Sequence, residues 1–324
     1  MSSPDAPALF YAALTVSAPT FGWVVAGLLL RRVGLLTEPV INRVSQLAFR
    51  YGLPAMLFAG AAQVDYSALG SARYLLAGVL ATLLTLAVAW LYSVWRGHPR
   101  ALQGIFVQAA FRSNLAIVGL ALAVSAYGDR GPVLAALPVA ALTALYNILA
   151  VWVLNTTLGA GASITALLWG IVRNPLIIGI SAGVLVALSG FPVPGLVATV
   201  GAGLSTFFLP LMLLCIGGAM QLSNLRNTGL ITWEATLWRL CVGPLLAVSL
   251  ALLMGVRGEQ LGVLFLLMSS PVAAASFVMV VAARGDGVLA ANIVVLTTLL
   301  SIITVTAGFF LLSVLSLVGM PGSG

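Results

Sequence analysis

The stretch "LMSSPVAAASF" (Leu267–Phe277) interrupts an apolar run with two serines and a proline. Serine is a favoured helix N-cap, and proline is favoured at the first helical position. "SSP" therefore reads as a new helix starting in the middle of a hydrophobic segment. Ser269 and Ser270 lie at the break, with Pro271 and Val272 entering the new helix.

The composition places that break in a membrane. Of 324 residues, 61% are hydrophobic and only 6% are charged, and the mean hydropathy is +1.16. A soluble domain carries about a quarter charged residues. All 14 basic residues are arginine and the net charge is +7. They are scattered, never more than two in a row, so the charge reads as topological and no nucleic-acid partner is expected. Cys215 and Cys241 lie in apolar segments and read as buried thiols. The N-terminal "MSSPDAPALF" has no basic leader, so no cleavable signal peptide is expected.

Apolar stretches near 20 residues long read as spanning helices. They fall near 8–30, 40–63, 72–95, 101–127 and 132–157, then near 163–189, 195–222, 230–256, 260–284 and 287–318. The links are short, so no soluble domain is appended. An even number of spans puts both termini on one side. The loops opposite the termini carry Arg31, Arg32, Arg43, Arg96, Arg100, Arg226 and Arg284, whereas the terminal side carries only Arg73, Arg130 and Arg257. The excess of arginine marks the cytoplasmic side, so both termini are expected on the non-cytoplasmic side.

The chain also echoes itself. "LPAML" (Leu53–Leu57) recurs as "LPLML" (Leu209–Leu213), 156 residues later. "GDRGPVLAA" (Gly128–Ala136) is echoed by "GDGVLAA" (Gly285–Ala291), 157 residues on at the Gly-Asp pair. Two echoes at nearly one offset indicate two five-helix repeats, 1–157 and 158–324. An odd number of spans per repeat inverts the second in the membrane, an arrangement found in secondary transporters with midplane sites at broken helices. Pro54 and Pro210 then read as shared bends of spans two and seven.

The same offset carries the break in span nine back to span four, at "AFRSNLAIVGL" (Ala110–Leu120). Ser113 meets Ser270 there, and Asn114 meets Pro271. Ser113 and Asn114 are good caps, and Gly119 permits close approach or bending. Two interrupted helices that cross bring two half-helix N-termini together, a natural seat for an anion. The plainer alternative is a pair of kinked helices whose neighbours satisfy the freed backbone groups.

With these pieces in view, the chain resembles the auxin efflux carrier family of permeases, within the bile-acid/sodium symporter-like superfamily. The matching stretches are "INRVSQLAFRYGLPAMLF" (41–58), "FRSNLAIVGLAL" (111–122), "RNPLIIGISAGVL" (173–185), "LPLMLLCIGGAMQL" (209–222), "SSPVAAASFVM" (269–279) and "VVLTTLLSIITV" (294–305). The resemblance implies an all-α membrane protein with a scaffold of helices 1, 2, 6 and 7. It implies a transport domain of helices 3–5 and 8–10, with broken helices four and nine crossing. It further implies elevator-type alternating access, a homodimer, organic-anion substrates such as carboxylates, and a bacterial plasma (inner) membrane. One departure stands out. Family members commonly carry a proline shortly after the span-four asparagine, where this chain has "GLA" (Gly119–Ala121). The span-four break then rests on Asn114 and Gly119.

Four arginines fall inside spans: Arg50, Arg112, Arg173 and Arg239. Long side chains reach out of the hydrocarbon, so Arg50, Arg173 and Arg239 read as anchors towards the inner surface. Arg112, next to Ser113 and Asn114, either lines the anion path or pairs with freed carbonyls. Asn147 in span five joins the expected substrate site. Asn292, Thr297, Thr298 and Ser301 in span ten are expected as polar or ion-binding lining, or as glue between helices. Every acidic residue lies in a loop or at a span end, and the one histidine, His98, stands in the loop between spans three and four. A proton relay has no obvious carrier, whereas sodium remains open. No activated nucleophile, metal-ligand cluster or phosphate loop is legible, so neither an enzyme nor a cofactor is expected. The expectation is a permease for small organic anions. The alternatives are a sodium-coupled symporter of bile-acid type or of another organic solute, and a receptor built on a transporter fold.

Overall fold

A computed structural model of the chain describes residues 6–63, 72–159, 169, 172–173, 175–190, 194–220 and 229–319. The expected start of span six (163–168), Asp5, Asp65 and Arg226 lie outside them. The described residues are helical, with one isolated β-bridge between Ser113 and Val272.

The chain opens with α1 (Ala6–Arg32). Next come α2 (Glu38–Leu47) and α3 (Leu53–Ala62), joined through a π-helical turn at Ala48–Gly52. After α4 (Ala72–Trp95) follow α5 (Arg100–Phe111), a π turn at Leu115–Gly119 and α6 (Leu120–Tyr127). Beyond these lie α7 (Arg130–Leu158), α8 (Pro175–Leu188) and α9 (Gly195–Ala219). A further π turn at Trp238–Val242 joins α10 (Leu230–Leu237) to α11 (Gly243–Leu253). The chain continues with α12 (Gly258–Ser269), α13 (Ala274–Ala282) and α14 (Gly287–Val314). Among the described residues six stretches are long and apolar enough to cross a membrane: Leu9–Arg32, Arg73–Trp95, Arg130–Leu158, Gly195–Ala219, Leu230–Leu253 and Gly287–Val314. They coincide with expected spans one, three, five, seven, eight and ten. Expected spans two, four and nine are each built of two helical pieces.

α4 shows how the helices pack. On α4, Leu76, Leu80, Leu83, Leu84, Val88 and Leu91 face outward, while Ala77, Ala81, Thr82, Thr85 and Ala89 are buried. Thr82 and Thr85 donate to the carbonyls of Gly78 and Ala81, so their hydroxyls are satisfied within their own helix. Small residues inside and large apolar ones outside suit a lipid solvent, where helices gain by close backbone approach.

Glycines set that approach. A Cβ on Gly27 of α1 would lie 2.1 Å from the Leu214 carbonyl oxygen of α9, and one on Gly183 of α8 would lie 2.5 Å from the Phe58 carbonyl oxygen of α3. Shifting Gly27 and Phe58 by 156 residues gives Gly183 and Leu214, the shift that separates Pro54 from Pro210. The prolines themselves differ locally. Pro54 opens α3 directly after a π turn, which removes the need for its backbone donor, whereas Pro210 lies inside the uninterrupted α9.

α1, α2, α3, α8 and α9 pack closely on one another, with α3 on α8 and α1 on α9 as the main pairings. A second set comprises α4–α7 with α10–α14. The two sets meet chiefly where α1 packs on α6 and α14 and where α3 packs on α7.

Candidate functional site

At the heart of the second set two helices stop and cross. α5 ends at Phe111 and α12 at Ser269. The extended segments beyond them pair antiparallel: the Asn114 N–H donates to the Pro271 carbonyl at 2.8 Å, and the Ala273 N–H to the Arg112 carbonyl at 3.3 Å. Each segment thus satisfies backbone groups that the other helix break sets free. Thr297 of α14 supports the crossing, because its hydroxyl accepts from the Val272 N–H at 3.2 Å and donates to the Ile293 carbonyl at 2.7 Å. Tyr146 of α7 supports it from the other side. Its hydroxyl lies 3.0 Å from Ser113 Oγ and donates to Met268 Sδ at 3.4 Å.

The restart in the ninth span differs from the expectation. Ser270 does not cap the new helix; its hydroxyl turns back to the Leu267 carbonyl at 2.8 Å. α13 begins at Ala274, three residues beyond Pro271. The physical reason is the pairing itself: Pro271 and Val272 are held extended by the segment they cross. In span four the chain resumes at Leu115 with a wide turn, closed by the Gly119 N–H on the Asn114 carbonyl at 2.9 Å. Gly119 lets this turn press on α12, since a Cβ there would meet Leu267 Cα at 3.1 Å. The break therefore forms without a proline.

Beside the crossing lies a cavity of about 270 Å³, lined by Arg112, Ser113, Asn114, Thr143, Tyr146, Asn147, Leu176 and the first residues of both resumed helices, Leu115–Ile117 and Ala273–Ala275. Asn114 occupies the capping position, yet its side chain makes no capping bond. Arg112 is buried, at 6% exposure. Its Nη2 donates to Asn147 Oδ1 at 2.8 Å, while Nε and Nη1 have no partner among the described residues. The cavity thus presents two helix N-termini and the Asn114 amide, with the charge of the buried Arg112 guanidinium in its wall, a setting suited to an oxyanion.

The structure does not gather every residue singled out from the sequence. Arg112, Ser113, Asn114 and Asn147 line the cavity. Ser269, Ser270, Pro271 and Val272 build the crossing without lining it, as does Thr297. Thr298 donates to the Val294 carbonyl and lines a different cavity, of about 520 Å³, with Met220, Ala274 and Phe277. Ser301 is buried and donates to the Thr298 carbonyl. Asn292 is buried, and its Oδ1 has no partner among the described residues. Among the described residues no cluster of His, Cys, Asp or Glu has metal-binding geometry.

Comparison with known proteins identifies the family. The family model described as "Membrane transport protein" matches residues 13–308. The chain belongs to that family, the auxin efflux carrier family. It is also similar to a protein of Methanothermobacter thermautotrophicus named "Uncharacterized transporter", with 24% identity over 287 residues, covering 87% of this chain and 92% of that one.

Two features of this family member escaped the sequence reading. Arg239 was expected to reach the inner surface, but it is fully buried, at 0% exposure. Its Nη1 donates to the Ala110 carbonyl at 3.2 Å and its Nη2 to the Met268 carbonyl. The π turn at Trp238–Val242 carries it, and no local residue pattern announced that turn. His98 is not isolated either. Its Nε2 lies 2.8 Å from Glu234 Oε2 and its Nδ1 3.0 Å from Ser93 Oγ, and Arg96 Nε donates to Glu234 Oε1 at 2.9 Å. This cluster ties the α4–α5 turn to α10. Ser93 is buried in helix α4, so the grouping is a clasp without an accessible nucleophile. Arg50 and Arg173 are exposed, with Arg173 over the Trp169 ring at 4.4 Å, as interfacial anchors would be.

Proposed function

We propose that the chain is a secondary transporter for small organic anions, carboxylates foremost. The observation that carries this reading is the cavity at the crossing, lined by the charged Arg112 and by Asn114, whose side chain makes no capping bond, beside two helix N-termini. Each N-terminus contributes about half a positive charge. A carboxylate there would receive charge-assisted hydrogen bonds, while Leu176 and Ala273–Ala275 offer its carbon skeleton an apolar wall. A volume of about 270 Å³ suits a small solute.

The two packing sets support an elevator reading, with α1–α3, α8 and α9 as scaffold and the remainder as the moving body that holds the site. The paired contacts Gly27–Leu214 and Gly183–Phe58 support two inverted repeats, since moving Gly27 forward and Leu214 back by 156 residues turns the first into the second. The larger apolar cavity shares Ala274 with the site and reaches Met220 and Val288. In the arginine-derived orientation, with both termini outside the cytoplasm of a bacterial inner membrane, that cavity is the cytoplasmic approach. A homodimer through the scaffold leaves the moving body free.

Reconstitution tests the reading. Purified protein in liposomes should move a labelled carboxylate without any partner, and unlabelled carboxylates should compete. Binding of carboxylates without flux would make it a receptor instead.

A further inference from the structure

Among the described residues, Arg239 is the arginine whose side chain reaches both broken helices. α5 and α12 end where the chain unwinds, and the last carbonyls of each have no partner within their own helix. Each C-terminus carries about half a negative charge, so two meeting at the crossing carry about one. Ala110 is the last residue but one of α5, and Met268 the last but one of α12. Arg239 donates one Nη to each of these carbonyls from a fully buried position. A single guanidinium therefore neutralises both C-termini at once. Among the described residues no carboxylate bonds to Arg239: Glu234, the acidic residue nearest in sequence, binds Arg96 and His98 at the helix end. Burying an arginine in hydrocarbon is costly, and here two carbonyls that need a cation offset that cost.

Half-helix carbonyl ends are where transporters hold a coupling cation. We infer that Arg239 is the resident cation of this crossing, so the carrier uses no sodium ion there to assemble its site. The side chain touches no part of the cavity that holds the anion. It is a positioning residue, acting through the two helix ends that fix Arg112–Asn114 and Ser270–Ala273. Sodium-driven transport, which the residue types alone left open, is then excluded at this place by a covalently attached charge.

The test combines melting of the purified protein with flux, and its melting arm needs no substrate, so it stands apart from the choice of anion. Replacing sodium by choline should leave both the wild-type melting temperature and the wild-type flux unchanged. Arg239→Ala should melt lower and transport about tenfold more slowly or worse, as expected for losing charge-assisted bonds. Millimolar guanidinium should restore part of the melting temperature of Arg239→Ala and do nothing for the wild type, a response that lost packing alone would not give. Should Arg239→Ala fail to fold, Arg239→Lys keeps the charge and should fold and remain sodium-independent. Wild-type flux that requires sodium overturns the inference. So does Arg239→Ala behaving as wild type, an Arg239→Ala protein deaf to guanidinium, or an Arg239→Lys protein that needs sodium.

Discussion

The backbone N–H of Asn114 donates to the carbonyl of Pro271 across 2.8 Å, joining two residues that lie 157 apart in the chain. That bond holds the capping residue of one half-helix against the broken end of another. It leaves the Asn114 side chain unused by the backbone, facing the cavity.

An uncharged amide suits a carrier, because it orients a carboxylate without holding it as tightly as a charge does. Losing a hydrogen bond to a charged group costs about 1.5–3 kcal/mol, or roughly ten- to hundredfold in affinity. Asn114→Ala should weaken substrate binding by that factor, while the backbone pairing and the yield of inserted protein stay near normal. Unchanged transport by Asn114→Ala at wild-type expression would remove Asn114 from the site.

The glycine contacts make a second prediction, about stability. A Cβ at position 217 would sit 1.8 Å from the Val24 carbonyl oxygen, whereas at position 22 it would meet nothing within 4 Å. Gly217→Ala must push α9 off α1, an overpacking that costs about 1–3 kcal/mol or more. Gly22→Ala, on the exposed face of α1, should gain about 0.5–1 kcal/mol from helix propensity. Melting of the two purified variants in one detergent should therefore move in opposite directions. Gly183→Ala should follow Gly217→Ala, because its Cβ would lie 2.5 Å from the Phe58 carbonyl oxygen.

Much of the fold was legible because lipid leaves few alternatives: apolar length marks a helix, and a Ser-Asn or Ser-Pro pair inside one marks a break. What escaped was set by partners far away in the chain. The restart at Ala274 rather than Pro271 depends on the segment crossing it, which no local capping rule contains. Arg239 looked like an anchor because its partners are backbone carbonyls of two other helices, invisible in any residue type. His98 looked solitary because Glu234 lies 136 residues away. Of the site, the cavity-lining Arg112, Ser113, Asn114 and Asn147 were legible. The division between residues that line it and residues that only build the crossing was not.

Orientation can be checked at two exposed turns. Leu35 follows α1 and Leu315 follows α14, and both are exposed. The arginine distribution puts them on opposite sides. With Cys215 and Cys241 replaced by alanine, Leu35→Cys should react with an impermeant maleimide only from the cytoplasm, and Leu315→Cys only from outside. Labelling of Leu315→Cys from the cytoplasm would reverse the orientation.

Arg112 gives the sharpest test of the site. A brace would be tied to several protein acceptors, as Arg239 is to two backbone carbonyls. Instead one hydrogen bond, to Asn147 Oδ1 at 2.8 Å, ties it down, and Nε and Nη1 have no partner among the described residues although the side chain is buried. A buried cation with idle donors is expensive to keep, and a bound anion would repay that cost on every cycle. Arg112→Gln retains amide donors near Asn147 but loses the charge. It should fold in near-normal yield, because only one protein contact is at stake, and should lose about tenfold or more in carboxylate affinity. The loss reads out without flux. A ligand that binds the folded state raises stability by RT ln(1 + [L]/Kd), so a carboxylate that lifts the wild-type melting temperature should lift that of Arg112→Gln far less. The opposite pattern, a collapsed yield with the ligand-induced shift intact in what survives, would make Arg112 a brace and take the anion elsewhere.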